Sequence, residues 1–365
     1  MYQRSAVPVD GVSTEGDPAM TSTTRSTGLS FLQPVSRQLV HRAAVAEVFV
    51  TDGIREDDGR FLVAAQWPRD HALYHPDDHG LADPLLLAET IRQAAFYLAH
   101  AEFSVPQGHP FVARGLDFEI TDPEALRVGH APQLVFLEAR WAWEDLRPPR
   151  RYDFRLELSL VVDGRPCGRG GLRGLAVPPR SYALLRRRST DAASVTAAAA
   201  RLAGPGGPRT MPPHQVGRLR SKDCVLEAGE RPGEWLLRPP LDHAILFDHP
   251  TDHVPFMVML EGFRQLGHLR THGGSAAPGG PEAYTLTSVD AECGAFAELD
   301  EPVRLVVREE TRVDGPDGPV RLVLDALQGD AVASSARTVW SPRPVAAEAT
   351  AGAPAEPVPL GAARS

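Results

Sequence analysis

A carboxylate, a guanidinium and an amide recur in this 365-residue chain with the spacing E-x-x-R-Q. The stretch that carries them, at 70–100, occurs again without a gap at 242–272. Most other positions change among apolar types, and polar residues that stay fixed while apolar ones change are typical of a duplicated site. The identical pairs are Asp70/Asp242, His71/His243, Ala72/Ala244, Glu89/Glu261, Arg92/Arg264, Gln93/Gln265 and His100/His272.

The repeated residues share one face of a predicted helix. At about 100° per residue, Arg92 lies ~60° from Glu89, Gln93 ~40° and His100 ~20°. A Glu in an apolar cavity beside a guanidinium can act as a general base, and an Arg can bind a carbonyl or phosphate oxygen. The structural alternative is an i,i+3 ion pair, with His100 capping the last carbonyl groups. Since such a pair is easily replaced by apolar residues, its repetition favours a site.

The loops that precede the two helices hold further candidates. His71 and His243 directly follow an Asp in both copies. The structural alternative is a turn in which the Asp binds backbone N–H groups and the His packs or is exposed. Four other loop histidines are not repeated in register, and we interpret each as a loop residue: His75, His79, His249 and His253.

The chain lacks the short motifs that mark metal and cofactor sites. HExxH, CxxC, GxSxG and the Walker and Rossmann glycine patterns are all missing from the sequence. The spacing of the His and Asp residues matches no set of metal ligands. We therefore expect no metal and no cofactor.

Composition narrows the classes of partner. A net charge of −9 gives no basic field that would attract nucleic acid. The three cysteines lie far apart, which fits a reducing compartment and excludes a disulfide framework. No segment resembles a signal peptide, and no run approaches the roughly 18 apolar residues of a membrane span. We expect a cytoplasmic protein with neither a nucleic acid nor a membrane partner.

Two long helices must position the repeated residues. The first is predicted from about Pro84 to Glu102, with Asp83 as N-cap and Pro84 at the first helical position. It is apolar almost all round, which is typical of a buried helix. The second is predicted at 256–270. Strands are predicted at 43–51, 60–66, 111–120, 133–143, 152–162 and about 171–177, then at 224–227, 234–238, 284–293, 303–313, 320–327 and 331–340.

This order of elements predicts an α+β fold in which one unit occurs twice. In each unit an antiparallel sheet curls round a long central helix, and a pseudo-twofold axis is the natural relation between the units. The predicted boundaries are a disordered tail at 1–36, a first domain at 37–177, a linker at 178–212, a second domain at 213–341 and a disordered tail at 342–365. The linker includes Arg186–Arg188 and a short helix predicted at 191–202.

Three segments resemble a known family: VHRAAVAEVFVTD at 40–52, AETIRQ at 88–93 with AHAEF at 99–103, and LEGFRQ at 260–265. They look like the A-factor biosynthesis (AfsA-like) proteins of actinomycetes, and the resemblance covers about residues 40–340. It implies a tandem double hotdog, which agrees with the order of elements. It also allows either a monomer, as an internal pseudo-dimer, or a homodimer.

The resemblance implies an acyltransferase. A β-ketoacyl group would leave a thioester of acyl carrier protein or CoA and join the hydroxyl of dihydroxyacetone phosphate, on the way to γ-butyrolactone or butenolide signals. Glu89 would then be the base and Arg92 would stabilise the oxyanion. Arg264 would anchor the phosphate. The other substrate-binding candidates are Glu261, Gln93, Gln265, His71 and His243.

Two other functions use the same fold. The first is a β-hydroxyacyl-thioester dehydratase or thioesterase, since the distance in sequence from His75 to Glu89 is similar to the His-to-carboxylate spacing of the dehydratases. The His-Phe-Pro-Gly turn of those enzymes is missing, and the second copy has Phe247 at the matching place. The other is a non-catalytic member that binds a small ligand.

Overall fold

The computed structural model describes residues 28–186, 210–272, 284–315 and 317–343. In these ranges the chain forms twelve strands and three α-helices, joined by turns and short 3-10 helices. The helices are α1 (Pro84–Ala101), α2 (Pro179–Arg186) and α3 (Phe256–His272). The strands are β1 (Val50–Asp57), β2 (Arg60–Trp67), β3 (Phe111–Ile120), β4 (Gln133–Arg147), β5 (Arg151–Val162), β6 (Arg165–Ala176), β7 (Leu226–Ala228), β8 (Trp235–Leu237), β9 (Tyr284–Cys293), β10 (Val303–Arg312), β11 (Val320–Gln328) and β12 (Ala331–Pro342).

All twelve strands belong to one antiparallel sheet, in the order β1-β2-β4-β5-β6-β3-β9-β12-β11-β10-β8-β7. The second six strands repeat the order of the first six in reverse, as a twofold axis between β3 and β9 requires. Leu116 pairs with Ala291 across this joint, and Phe118 pairs with Val289. The predicted α+β plan with a duplicated unit is confirmed.

Helix α1 begins where the sequence predicts. Asp83 Oδ1 accepts the N–H of Leu85 at 2.8 Å, and Pro84 occupies the first turn. The helix is buried on nearly every side, so Leu87→Ala would cost roughly 3 kcal/mol of stability. Helix α3 is buried in the same way in the second half. None of the helices in the described ranges is long and apolar enough to cross a bilayer.

The strand predicted at 43–51 is wrong over most of its length. Strand β1 begins at Val50, and Val45–Glu47 forms a 3-10 helix instead. The Asp248 carboxylate accepts the N–H groups of residues 43 and 44, and Gln93 accepts that of residue 49. Side chains from distant parts of the chain thus accept hydrogen bonds from the backbone N–H groups that would otherwise pair with a neighbouring strand. Among the other predicted strands, β6 begins earlier, at Arg165, and β4 ends later, at Arg147.

The first domain boundary is predicted at residue 37, yet contacts with the sheet begin earlier. The Ser30 N–H donates to Asp52 Oδ2 at 2.9 Å. The Phe31 ring lies 5.0 Å from that of Phe136, edge to face. Ser30, Phe31 and Val35 therefore contact the sheet within the segment predicted to be a disordered tail.

The predicted linker begins with structure of its own. Helix α2 occupies its first part and packs on the second half through Tyr182 and Arg186. Residues 187–209, which include the helix predicted at 191–202, lie outside the described residues, as do residues 1–27 and 344–365.

Candidate active site

Two arginines hold the Glu89 carboxylate in the first half. Arg42 Nε donates to Oε1 at 2.9 Å, and its Nη2 lies 2.5 Å from Oε2. Arg92 Nε donates to Oε2 at 3.0 Å and its Nη2 to Oε1 at 2.9 Å. The Gln93 amide adds a bond to Oε1 at 2.7 Å. Glu89 is buried, so this pairing offsets the large cost of removing its charge from water.

Gln93 and His71 fix the chain that leads into the first strand. Gln93 Oε1 accepts the N–H of Phe49, and its Nε2 donates to the Glu47 carbonyl at 2.7 Å. His71 Nδ1 accepts the N–H groups of residues 73 and 74, so Nε2 carries the proton and donates to Glu47 Oε2 at 3.2 Å. Both side chains therefore position backbone segments.

The second half repeats most of this network, with one arginine rather than two on its glutamate. Arg218 binds Glu261, with Nε to Oε1 at 2.7 Å and Nη2 to Oε2 at 2.5 Å. Gln265 accepts the N–H of Val225 and donates to Glu261. His243 Nε2 donates to Asp223 Oδ1 at 3.0 Å, as His71 does to Glu47.

Each network lies where the halves meet. Arg42 Nη1 donates to the Ile245 carbonyl at 3.3 Å, and Arg218 Nη1 donates to the Leu73 carbonyl at 2.9 Å. Ile245 and Leu73 occupy matching places in the two loops that precede the helices. Each glutamate–arginine pair is thus completed by a loop of the other half.

In the described ranges, the network around Glu89 borders a sizeable cavity and the network around Glu261 does not. That cavity has a volume of about 600 Å³. His41, Arg92 and His249 form one part of its wall. Burial lowers the pKa of both histidines, and the charge of Arg92 lowers it further. Much of the remaining wall is apolar, with Phe96, Phe111, Val112, Leu116, Leu172 and Met257.

A second cavity of about 340 Å³ adjoins the first. The two share Phe111, Val112, Ala113, His253 and Phe256 as lining residues. The walls of the second cavity are mainly apolar. Together they can accept a polar head and an acyl chain.

The pocket that borders the second network encloses only about 20 Å³. A separate cavity of about 340 Å³ shares Thr285 and Arg343 with it but is not lined by Arg264. Arg264 turns to the backbone there and donates to the carbonyls of Val216 and Gly217 at 2.7 and 2.8 Å. The His268 ring stacks on His272 with centroids 4.0 Å apart. The identical arginines therefore have different surroundings, since Arg92 faces a cavity and Arg264 faces packed protein.

A difference between two strand residues explains much of this asymmetry. Gly174 pairs with Ala113, the third residue of β3, and lines the large cavity. Trp340 pairs with Leu286, the third residue of β9, and so occupies the matching place in the second half. A Cβ added at Gly267 of α3 would lie 2.5 Å from the indole ring. At Gly174 the Phe154 ring lies where a Cβ would be, and both residues line the large cavity, whereas in the second half the indole fills the matching place.

Burial and the neighbouring charges shift the pKa of Glu89 in opposite directions. Burial raises its pKa, but Arg42 and Arg92 outweigh burial and bring the pKa to about 2. Glu89 is therefore an anion at neutral pH and a weak proton acceptor. Its geometry suits it to fixing both guanidinium groups, of which Arg92 lines the cavity.

The two helix N-termini also differ. Asp83 caps α1, and the same carboxylate binds Arg218 Nη1 at 2.6 Å. The matching residue before α3 is Pro255, which has no side-chain acceptor. The N–H groups of Phe256 and Met257 bind no acceptor within the described residues, and both residues line the large cavity. Free donors at a helix N-terminus can stabilise an oxyanion.

His41 has an unusual backbone conformation. Its φ is 52°, in the left-handed region, where the matching residue of the second half is Gly217 with φ 61°. A β-carbon is unfavourable there, and such strain often marks a functional residue. His100 Nδ1 donates to the Val105 carbonyl at 2.7 Å, so its Nε2 accepts from His41 Nε2 at 2.8 Å. His41 Nδ1 is thus left with a lone pair on a residue that lines the cavity.

The structure brings Glu89, Arg92 and Gln93 together, and in the second half Glu261 and Gln265. Arg264 instead contacts the backbone at 216–217 and lies 3.7 Å from Asp83. His71 and His243 lie beside these groups and organise the loops. Sequence reasoning missed the two arginines that complete the networks, Arg42 and Arg218. The signal was present as V-H-R at 40–42 and V-G-R at 216–218. More residues separate these two segments than separate the two E-x-x-R-Q motifs. An alignment without gaps that superimposes the motifs therefore leaves the two segments out of register.

The family comparison agrees with this duplicated architecture. A model of the A-factor biosynthesis hotdog domain matches residues 23–178 and again 202–343. Each match spans one half of the sheet with its long helix. In the described ranges, no three His, Cys, Asp or Glu side chains form a group that could hold a metal ion.

Individual relatives from Streptomyces also match most of the chain. A 2-oxo-3-(phosphooxy)propyl 3-oxoalkanoate synthase of Streptomyces virginiae is 38% identical over 79% of this chain and 92% of its own length. A synthase of the same name from Streptomyces coelicolor is 32% identical over 74% of this chain and 80% of its own. A 12:0-ACP thioesterase from Umbellularia californica covers 80% of this chain and 100% of its own at 13% identity and a TM-score of 0.41, too distant to bear on activity. The chain belongs to the A-factor biosynthesis family of double hotdog proteins.

Proposed function

We propose that this chain is an acyltransferase that joins a 3-oxoacyl group to the hydroxyl of dihydroxyacetone phosphate. The names of the relatives describe the product of that reaction, the 3-oxoalkanoate ester of a 2-oxo-3-(phosphooxy)propyl alcohol. Ester formation requires an activated acyl donor, and the donor we propose is a thioester of acyl carrier protein or CoA.

The observation that carries the proposal is the open cavity of about 600 Å³ beside the Glu89 network. It combines a cationic part with apolar walls, as a phosphorylated acceptor and a 3-oxoacyl chain require. The adjoining apolar cavity of about 340 Å³ offers room for the acyl chain.

We propose that the phosphate of the acceptor binds to Arg92, with His41 and His249 beside it. Burial, His100 and Arg92 lower the pKa of His41 to about 3, so its imidazole is neutral in the free protein. A bound phosphate dianion would offset the effect of Arg92 and favour proton uptake by His41. This assignment gives Arg92 the anchoring role that the sequence suggested for Arg264.

We propose that Glu89 is a positioning residue rather than the base. Both of its carboxylate oxygens already accept bonds from guanidinium groups, and its low pKa makes it a poor proton acceptor. By the same reasoning Glu261, Gln265 and His243 hold the second half in shape. Gln93 and His71 do so in the first half.

The thioester carbonyl needs hydrogen-bond donors as its oxygen gains charge. The free N–H groups of Phe256 and Met257 at the start of α3 support this role because both residues line the cavity. Their alignment with the helix dipole adds to the stabilisation.

Mass spectrometry of one reaction mixture tests the proposed function. Purified protein is incubated with a 3-oxoacyl thioester, with and without dihydroxyacetone phosphate. We expect the phosphorylated ester and free thiol only when the acceptor is present. Free 3-oxo acid would support a thioesterase, a change at the β-carbon a dehydratase, and binding without turnover a ligand-binding protein.

The oligomeric state and the cytoplasmic location stay predictions. The halves already form an internal pseudo-dimer through β3 and β9, so a monomer is sufficient to build the cavity. Light scattering on the purified chain distinguishes a monomer from a homodimer.

A further inference from the structure

Where the two cavities adjoin, an aspartate and a histidine form a hydrogen-bonded pair. His253 Nδ1 lies 2.7 Å from Asp252 Oδ1. His253 lines both cavities, and Asp252 lines the larger one. Neither residue belongs to the repeated E-x-x-R-Q network.

The structure holds Asp252 in a fixed orientation. Tyr182 donates its hydroxyl to Oδ1 at 2.8 Å, and Arg186 Nε donates to Oδ2 at 3.1 Å. Arg186 is itself bound by both oxygens of Glu298, at 2.9 and 2.8 Å. A buried arginine from α2 thus ties the aspartate to the second half, and the aspartate orients the imidazole.

This arrangement fixes the tautomer of His253. The ionised Asp252 only accepts hydrogen bonds, so the proton of the neutral imidazole lies on Nδ1. Nε2 then carries a lone pair, and no described residue binds it. An imidazole with one nitrogen bound to a carboxylate and the other free is the arrangement of a general base.

The pair lies only beside the open cavity, because it belongs to the loop of the second half that completes the first network. At the matching places of the first loop the chain has Gly80 and Leu81. The closed region of the second network therefore has no equivalent of the pair. A hydrogen-bonded pair that served only to stabilise the fold would be expected in both copies.

We propose that His253 is the general base of the acyl transfer and that Asp252 is its positioning residue. The proposal rests on the proposed function. As the acceptor oxygen attacks the thioester carbon, its proton passes to His253 Nε2. The tetrahedral intermediate then collapses with cleavage of the C–S bond, and the same proton passes to the thiolate, so that ester and free thiol leave.

The position of His253 suits this role. The phosphate of the acceptor would lie in the first cavity, near Arg92, and the acyl chain in the second. The carbon that joins them would then lie near the shared wall, where His253 is. The free N–H groups of Phe256 and Met257 follow His253 closely in the chain.

The first test is kinetic and compares His253→Gln with His75→Gln. His75 is a loop histidine beside the closed region and serves as the matched control. We expect His253→Gln to lower kcat at least ~100-fold with KM for dihydroxyacetone phosphate within ~3-fold, and His75→Gln to retain wild-type kcat. In His253→Gly, added imidazole should restore thiol release.

The second test separates a positioning role for Asp252 from a structural one. The charged or titratable groups around His253 are Asp252 on its own loop, Tyr182 and Arg186 from α2, Arg114 from β3 and Cys293 from β9. Asp252→Asn removes the carboxylate that orients the imidazole. We expect kcat to fall at least ~10-fold with KM for dihydroxyacetone phosphate unchanged, and Asp252→Glu, which keeps a carboxylate, to recover most of the loss. A merely structural defect would change KM as well and would not be rescued by the glutamate.

The outcomes are distinguishable. If the wild type forms the ester and His253→Gln keeps more than half of its kcat, the base assignment is overturned while the proposed function stands. If the wild type forms no ester under any of these conditions, the proposed function fails and the assignment fails with it.

Discussion

At the scale of the residue, identical side chains have different roles in the two halves. Arg92 and Arg264 both belong to an E-x-x-R-Q segment, and both lie beside a buried glutamate. Arg92 has its own carboxylate partner and a cavity in front of it. Arg264 donates to two backbone carbonyls in a closed region. The motif therefore marks a duplicated scaffold, and function depends on what lies in front of it.

The two arginines provide a matched pair of variants. Arg92→Gln should lower kcat/KM for dihydroxyacetone phosphate roughly 10- to 150-fold, because a charge-assisted contact to the phosphate is lost. Arg264→Gln should leave kcat/KM within about twofold, although it weakens the fold. Steady-state kinetics at fixed thioester concentration gives both values, and an equal loss in both variants would contradict the one-site assignment.

Buried neutral histidines should make the fold sensitive to mild acid. Burial is the main cause that lowers the pKa of His41 to about 3 and that of His272 to about 4, from 6.5 in the unfolded chain. The unfolded chain binds more protons in this range, so stability falls as the pH decreases from 6.5 towards 4. Each group contributes ~1.4 kcal/mol per pH unit. Urea unfolding at pH 7.5, 6.5, 5.5 and 4.5 measures the slope.

The control for this prediction is His272→Leu. It should reduce the slope by about 1.4 kcal/mol per pH unit between pH 6.5 and 4.5. Stability that does not change across that range would contradict the assignment of neutral, buried imidazoles.

At the scale of the element, the two central helices are equivalent in burial but not at their N-termini. An aspartate caps α1 and at the same time binds an arginine of the second half. Helix α3 begins after a proline, and its first two residues line the large cavity and have N–H groups that bind no acceptor in the described part of the chain. Strand residues add to the difference, since Gly174 has no side chain and lines the large cavity, while Trp340 packs against α3 at the matching place.

Pro255→Asp would give α3 an N-cap equivalent to the one that Asp83 provides for α1. The new carboxylate should accept the N–H of Met257, as Asp83 accepts that of Leu85, and remove a donor from the oxyanion. We expect kcat to fall ~100-fold or more, while the cap adds up to ~1 kcal/mol of stability. Pro255→Ala, which leaves the N–H groups free, should retain activity. Kinetics and thermal unfolding of both variants check the prediction.

At the scale of the whole molecule, the halves form one sheet and complete each other's networks. Residues of both halves line the large cavity, including Arg92 from α1 and Met257 from α3. A single hotdog unit would therefore lack part of the site. The fold is symmetric in its backbone, but the described ranges enclose an open cavity beside one network and a closed region beside the other.

This asymmetry predicts one acceptor site per chain. Isothermal titration calorimetry with dihydroxyacetone phosphate should give a stoichiometry of one, and Arg264→Gln should leave that value unchanged. A stoichiometry of two would show that the second network also binds the acceptor.

Local pattern determined much of this architecture from the sequence alone. The duplication, the span of α1 with its Asp83 cap, and strands such as Phe111–Ile120 and Tyr284–Cys293 are all confirmed. Apolar periodicity and capping chemistry act over a few residues, so they are readable without the fold. The segment at 43–51 failed because its backbone donors are taken by Asp248 and Gln93, which lie far away in the chain.

The tertiary structure alone decided which copy faces a cavity and what completes it. Arg42 joins Glu89 across 47 residues, and Tyr182 and Arg186 come from a segment whose composition indicates a linker. In the sequence Arg92 and Arg264 are the same residue in the same motif. Their surroundings differ because Gly174 and Trp340, remote in the chain, determine the space in front of each. A cavity depends on packing between distant residues, which local pattern does not encode.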